Sequence, residues 1–101
     1  MELSGKQRRY LRSLGHSLSP VSQIGRDGLS GSLVSSLEAA LLARELVKIR
    51  IGSTCDTDRH EVAAELAART SSALVQVLGS TVLLFRPNPD KPKISLPAGR
   101  N

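Results

Sequence analysis

The segment Gly25-Arg26-Asp27-Gly28 carries residue types that could bind an anion. Glycine lets a backbone approach a phosphate without a Cβ in the way, and the free N–H groups at the start of a following helix favour an anion. Arg26 would add a guanidinium fork for phosphate oxygens, whereas Asp27 places a negative charge beside it. For an isolated GxxG, a tight turn with positive φ at a glycine is the stronger interpretation. A nucleotide-binding P-loop is excluded because no Lys-Ser or Lys-Thr follows at the required spacing.

A run of basic residues precedes this loop. No acid stands between Glu2 and Asp27 to balance its members, which are Lys6, Arg8, Arg9 and Arg12. Most charge runs are simply solvated faces, but a solvated face usually mixes both signs. The whole chain has 14 Lys and Arg against 9 Asp and Glu, a net charge of +5. These observations predict a polyanionic partner.

Three further cations lie on or beside predicted strands. Lys48 and Arg50 are two residues apart and therefore share one face of their strand. They either continue the basic surface or line an exposed edge of the sheet. Arg86 follows the last strand and would extend the same surface.

The cluster from Cys55 to Glu61 holds the residue types of a metal or acid/base site. Its spacing matches neither a tetrahedral ligand set nor a calcium loop. Asp58 instead fits the N-cap of a helix, with Glu61 three residues on. A single cysteine allows no internal disulfide and no paired-cysteine zinc site. We therefore predict no metal, no cofactor, no small-molecule substrate and no catalysis.

Length and composition narrow the class further. A chain of 101 residues with 40% apolar content fits one domain with a core and leaves no room for a second catalytic domain. Its apolar runs are far shorter than the roughly 20 residues of a membrane-spanning helix. We expect no secretory signal, because no apolar region follows the first charged residues. We expect a cytoplasmic monomer without membrane contact. One Tyr, one Phe and no Trp disfavour modules that stack single-stranded bases on aromatic rings.

The apolar pattern predicts the order helix, strand, helix, strand, helix, strand, strand. In the first helix Leu3, Tyr10, Leu11 and Leu14 would face the core, opposite the arginines. The remaining elements follow from helical spacing, β-rich runs and turn signals, and the predicted segments are 4–14, 21–24, about 30–44, 46–51, 58 onward, 74–78 and 81–85. A strand-helix-strand unit implies parallel neighbours and a final hairpin is antiparallel. The fold class is therefore α/β (α+β mixed): a compact single domain with a four-stranded mixed sheet and three helices.

Prolines at 87, 89, 92 and 97 prevent regular pairing after Arg86. We predict that residues 1–87 form the domain and that residues 88–101 form a basic tail, extended or disordered.

Several of these segments, taken in order, resemble a CRM domain, the RNA-binding module of chloroplast splicing factors and of small bacterial YhbY-type proteins. The resemblance rests on residues 3–11, His16, Leu18-Ser19-Pro20, residues 24–29, 45–51, 75–87 and 93–97. It spans nearly the whole chain. Two positions depart from the family pattern: Arg44 stands where His is frequent, and Phe85 where Tyr is common before Arg-Pro.

The resemblance implies a fold related to the C-terminal domain of translation initiation factor 3 and a non-catalytic role on precursors of the large ribosomal subunit. It places the family's GxxG loop on residues 25–28 and its basic helix face on Lys6, Arg8, Arg9 and Arg12. We therefore expect structured RNA, namely ribosomal RNA, as the partner, bound through its phosphates and shape. A small DNA-binding module and a protein-interaction module stay open as alternatives.

Overall fold

The structure, a computed structural model, describes residues 2–99. Within them the predicted order of elements is confirmed: α1 (Gly5–Gly15), β1 (Ser22–Ile24), α2 (Gly31–Arg44), β2 (Leu46–Ile51), α3 (Arg59–Arg69), β3 (Ala73–Leu78) and β4 (Thr81–Phe85). The strands form one sheet in the order β1-β2-β4-β3, in which β1 and β2 are parallel and the other two pairs antiparallel. A candidate membrane-spanning helix is absent from residues 2–99, where no helix combines the required length with the required apolar character.

Polar side chains fix where each helix begins. Ser4 and Gln7 form a reciprocal capping box on α1, because each side chain bonds the other's backbone N–H group. The Ser30 hydroxyl accepts from the N–H of Leu33 and caps α2. The Asp58 carboxylate accepts from the N–H groups of His60 and Glu61 and caps α3, as the sequence predicts.

The sheet is covered on both faces. Helices α2 and α3 pack on one face around a cluster that includes Leu37, Leu66 and Ile49. Helix α1 packs on the other face around Leu11, Leu83 and Phe85.

The orientation of α1 corrects one sequence expectation. Tyr10, predicted to be in the core, is 38% exposed, whereas Leu11 is fully buried. Gly15 explains the difference, since a Cβ there would lie only 2.6 Å from a Leu83 methyl carbon. This close approach sets the contact face of α1 on Leu11 and Gly15, which turns Tyr10 outward and Arg8 toward the sheet.

Residues 88–99 form no helix or strand, as the prolines predict, yet they pack on the domain. Ile94 and Leu96 lie against the α1-side cluster, and the Gln7 side chain donates to the Pro97 carbonyl at 3.1 Å. The domain boundary at residue 87 stays a prediction, and the last two residues of the predicted tail lie outside the described residues.

Glu45, between α2 and β2, holds this segment in place. Its side chain is buried and accepts from the backbone N–H groups of Asn88, Lys93 and Ile94, the last two at 2.7 Å. Burial raises the pKa of the Glu45 carboxyl, but these hydrogen bonds and the positive charge of Lys93 outweigh it and hold the pKa below its ordinary value of 4.5. The backbone of Glu45 also has a positive φ of 67°, which L residues rarely adopt.

Candidate nucleic-acid interface

One end of the sheet gathers three loops. The parallel strands β1 and β2 both end there, α2 and α3 both begin there, and the β3–β4 turn lies there as well. The Arg59 side chain ties the start of α3 to this turn by donating to the Gly79 carbonyl at 2.9 Å. We call this region the loop end.

The GxxG segment at the loop end is a tight turn. The N–H of Gly28 donates to the Gly25 carbonyl at 3.1 Å, and Gly28 has a φ of 63° that favours glycine. Arg26 and Asp27 are both exposed at the tip. The turn therefore presents one cation and one anion to solvent.

Gly52 anchors this turn to the sheet, a role that the sequence analysis missed. Its N–H donates to the Ile24 carbonyl at 2.7 Å. A Cβ at residue 52 would lie 2.9 Å from that carbonyl oxygen and 2.7 Å from the Gln23 amide nitrogen. Only glycine permits this approach, and the signal for it in the sequence was a lone glycine at the end of a β-rich run.

Two cavities flank Gln23 at the loop end. One, of about 320 Å³, lies between the GxxG turn and the first two turns of α2; the other, of about 360 Å³, lies between Arg50 and Ser80. Gln23 lines both cavities and stands opposite Arg50 in the β1–β2 register. The structure therefore joins Arg26, Gln23 and Arg50 in one continuous surface.

The same face of β2 leads from Arg50 toward α1. Lys48 is half-buried, pairs in register with Leu83, and thus lies beside the point where Gly15 packs. On α1 itself, Lys6 and Arg9 are exposed and Arg12 is half-buried. Lys48 and Arg50 thus lie on the face of the sheet that α1 covers, and α1 adds Lys6, Arg9 and Arg12 on that side. Arg26 lies at the loop end, in the turn before α2.

Arg8 is placed elsewhere than the sequence analysis expected. It is half-buried, and its guanidinium donates to the carbonyls of Leu74 and Val75. These carbonyls belong to the edge strand β3, where a register shift between Leu74 and Gln76 disturbs the pairing with β4. Arg8 therefore satisfies backbone acceptors at a bulge, a structural task rather than a place on the exposed helix face.

Arg86 is likewise engaged within the fold. Its guanidinium donates to the Glu38 carboxylate and to the Thr70 carbonyl, both at 2.8 Å. These contacts join α2, the end of α3 and the segment after β4. The side chain is 23% exposed, so Arg86 does not extend the surface at the loop end.

The Cys55–Glu61 cluster does not assemble. Within residues 2–99 no group of three or more His, Cys, Asp or Glu side chains comes together as a metal site would require. Asp58 is occupied in capping α3.

Comparisons with known proteins show the family to which this chain belongs. The sequence profile of the CRS1 / YhbY (CRM) domain matches residues 3–86. The chain belongs to the CRS1 / YhbY (CRM) domain family. It is 38% identical to the "Probable RNA-binding protein YqeI" of Bacillus subtilis over 95 residues, which are 94% of this chain and 99% of that protein.

Two further proteins are similar to this chain. The "Probable RNA-binding protein PA4753" of Pseudomonas aeruginosa is 36% identical over 95% of this chain and 91% of its own length. The solution structure of the hypothetical protein SAV1595 from Staphylococcus aureus superposes with a TM-score of 0.80 at 38% identity, covering 95% of this chain and all of the other. The fold and the family expected from the sequence are both confirmed.

Proposed function

We propose that this CRM-domain chain is a non-catalytic protein that binds structured RNA, and that its partner is ribosomal RNA in precursors of the large subunit. The observation that carries the proposal is the continuous exposed surface of Arg26, Gln23 and Arg50 at the loop end. The family relatives, named as RNA-binding proteins, support RNA as the partner.

The proposed mechanism is electrostatic docking. Arg26 and Arg50 contact phosphates at the loop end, while Lys48, Arg12, Arg9 and Lys6 continue the contact across the α1 side of the sheet. Phosphate contacts give affinity and orientation with little reading of sequence. Specificity comes from RNA shape, because the composition offers few aromatic rings for base stacking. We leave Arg8 and Arg86 out of the interface, since both are engaged within the fold.

A matched pair of double variants tests the interface. Arg26→Ala/Arg50→Ala removes two charges from the loop end, and Arg44→Ala/Lys91→Ala removes two exposed charges elsewhere. Affinity for a ribosomal RNA stem-loop is measured by fluorescence anisotropy between 50 and 200 mM salt. We expect the first variant to weaken binding about tenfold or more. The slope of log affinity against log salt concentration should fall by the amount that corresponds to about two phosphate contacts. The control should stay within about threefold of the wild type. Equal losses in both variants would show that net charge alone, and not this surface, binds RNA.

Cosedimentation tests the ribosomal assignment. In a sucrose gradient of a cell lysate, the wild-type chain should travel with large-subunit precursors, and Arg26→Ala/Arg50→Ala should shift to the top fractions. A wild-type chain that stays at the top would contradict the ribosomal partner, whereas stem-loop binding measured separately would still support RNA binding.

A further inference from the structure

The cavity between the GxxG turn and α2 has an unusual lining. Serine hydroxyls dominate it, together with Gln23, Arg26, Asp27 and one apolar side chain, Leu33; the serines are Ser22, Ser30, Ser32 and Ser36. Its volume of about 320 Å³ lies at the lower end of the range for ligand pockets, roughly 300–1,000 Å³. No aromatic ring lines it.

Two of these four hydroxyls have no partner within the described part of the chain and are free to meet a ligand. Ser30 uses its hydroxyl to cap α2 and lies 3.3 Å from the Ser32 hydroxyl. Among residues 2–99, the hydroxyls of Ser22 and Ser36 have no hydrogen-bond partner. A serine within a helix often bonds the carbonyl four residues earlier; Ser36 does not, and it shares the cavity-facing side of α2 with Ser32.

The chemistry of the lining selects the kind of group that fits. A hydroxyl both donates and accepts, but an ionised carboxylate only accepts, so Asp27 favours a neutral donor and repels a phosphate. Without an aromatic ring the cavity offers no stacking platform for a base. A sugar hydroxyl is a neutral donor and needs no aromatic ring, so it fits this lining. The exposed Arg26, which also lines the cavity, suits the adjoining phosphate.

We propose that this cavity takes a ribose of the bound RNA, and that Asp27, Ser32 and Ser36 hydrogen-bond its 2′-hydroxyl. The inference rests on the proposed RNA binding and adds to it the feature by which the chain distinguishes RNA from DNA. Affinity then comes from the cations, and the preference for ribose comes from the serine hydroxyls and the Asp27 carboxylate of the cavity.

The test uses two probes of one sequence: an RNA stem-loop and the same stem-loop with 2′-fluoro in place of every 2′-hydroxyl. The fluoro probe keeps the phosphate charge and the A-form shape and removes the hydroxyl donor. The wild-type chain should bind the RNA about fivefold or more tightly than the fluoro probe, because one neutral hydrogen bond is worth roughly 2- to 12-fold in affinity.

Serine variants locate the effect. Ser32→Ala/Ser36→Ala should lower this RNA-to-fluoro ratio by about twofold or more by weakening RNA binding alone, since it removes two hydroxyls and no charge while the Asp27 acceptor stays. Ser35→Ala is the matched control, because Ser35 lies exposed on α2 next to Ser36 but outside the cavity. It should leave the ratio unchanged.

Asp27→Ala should change two measurements in opposite directions: the affinity for the fluoro probe rises and the RNA-to-fluoro ratio falls. Loss of the negative charge should tighten binding of the fluoro probe by about twofold, since both probes carry the same phosphates. Loss of the acceptor should at the same time lower the RNA-to-fluoro ratio. A simple electrostatic effect would raise both affinities equally.

Two outcomes would overturn the inference and separate it from the proposed function. Equal wild-type binding of both probes, or serine variants that behave like Ser35→Ala, would remove the ribose site while RNA binding stands. A wild-type chain that binds neither probe would overturn both proposals.

Discussion

The two ends of the sheet use charged side chains in opposite ways. At the end opposite the loops, Glu45 receives three backbone N–H groups, Arg86 bonds Glu38 and a carbonyl, and Arg8 bonds two carbonyls of β3. At the loop end, Arg26 and Arg50 are exposed. We call the first region the latch end, because Glu45 holds residues 88–94 there.

The difference shows that the role of a charged side chain depends on whether it has hydrogen-bond partners within the fold. A buried charge is tolerable only when hydrogen bonds replace the water it lost, so the buried and half-buried charges at the latch end, Glu45, Arg86 and Arg8, are bound within the fold and contribute to stability. Exposed cations without such bonds keep their hydration and their freedom to meet phosphates. Substitutions at the two ends should therefore affect different measurements.

The largest effect is expected at Glu45. Glu45→Gln places an amide NH₂ where the carboxylate now accepts from backbone N–H groups, so at least one donor loses its partner in a buried site. We expect the free energy of unfolding at pH 7 to fall by about 2–4 kcal/mol, measured by urea denaturation. A loss below about 0.5 kcal/mol would show that residues 88–94 do not depend on this carboxylate.

The pH dependence of unfolding tests the same residue. The pKa of Glu45 is lowered in the folded state, so the unfolded chain binds more protons and the stabilisation is complete only above about pH 4.5, its ordinary pKa. It is lost as the pH falls through the lower pKa of the folded state. The stability gap between wild type and Glu45→Gln should therefore narrow below about pH 4.5; a gap that widens on acidification would contradict the lowered pKa.

The next largest effects are expected when an arginine at each end of the sheet is replaced by methionine in separate variants. Arg86→Met should lower the free energy of unfolding by about 1–2 kcal/mol, because the Thr70 carbonyl loses its donor and Glu38 its partner. Arg26→Met should change stability by no more than about 0.5 kcal/mol and weaken stem-loop binding severalfold, with a salt slope smaller by about 1. If Arg86→Met weakens RNA binding more than Arg26→Met does, the division between the two ends is wrong.

The fold was predictable from local signals. Helical spacing, β-rich runs and glycine turns indicated every element, and Asp58 showed where α3 begins. A strand-helix-strand unit followed by a hairpin then left few topologies for four strands. These signals depend on neighbours in sequence, which the chain itself displays.

The partners of charged residues were less predictable, because they depend on contacts distant in sequence. Arg8 meets β3 carbonyls 66 and 67 residues away, and Arg86 meets Glu38 across 48 residues. No local pattern distinguishes these arginines from Arg9 or Arg26. The sequence therefore indicated the basic character of the site, and the close approach at Gly15 decided which arginines of α1 face solvent.

The smallest predicted effect, at Asp58, tests whether position or partners decide the role of a charge. Asp58 lies at the loop end, yet its carboxylate accepts from the N–H groups of His60 and Glu61. If partners decide, Asp58→Ala should cost about 1 kcal/mol of stability through the lost N-cap and change stem-loop affinity by less than about twofold. Asp58→Asn should keep most of the stability, since Asn caps as well as Asp, and so separates the cap from the charge. If both variants instead tighten RNA binding severalfold at unchanged stability, the loop end acts as one electrostatic surface and the contrast with the latch end is one of position alone.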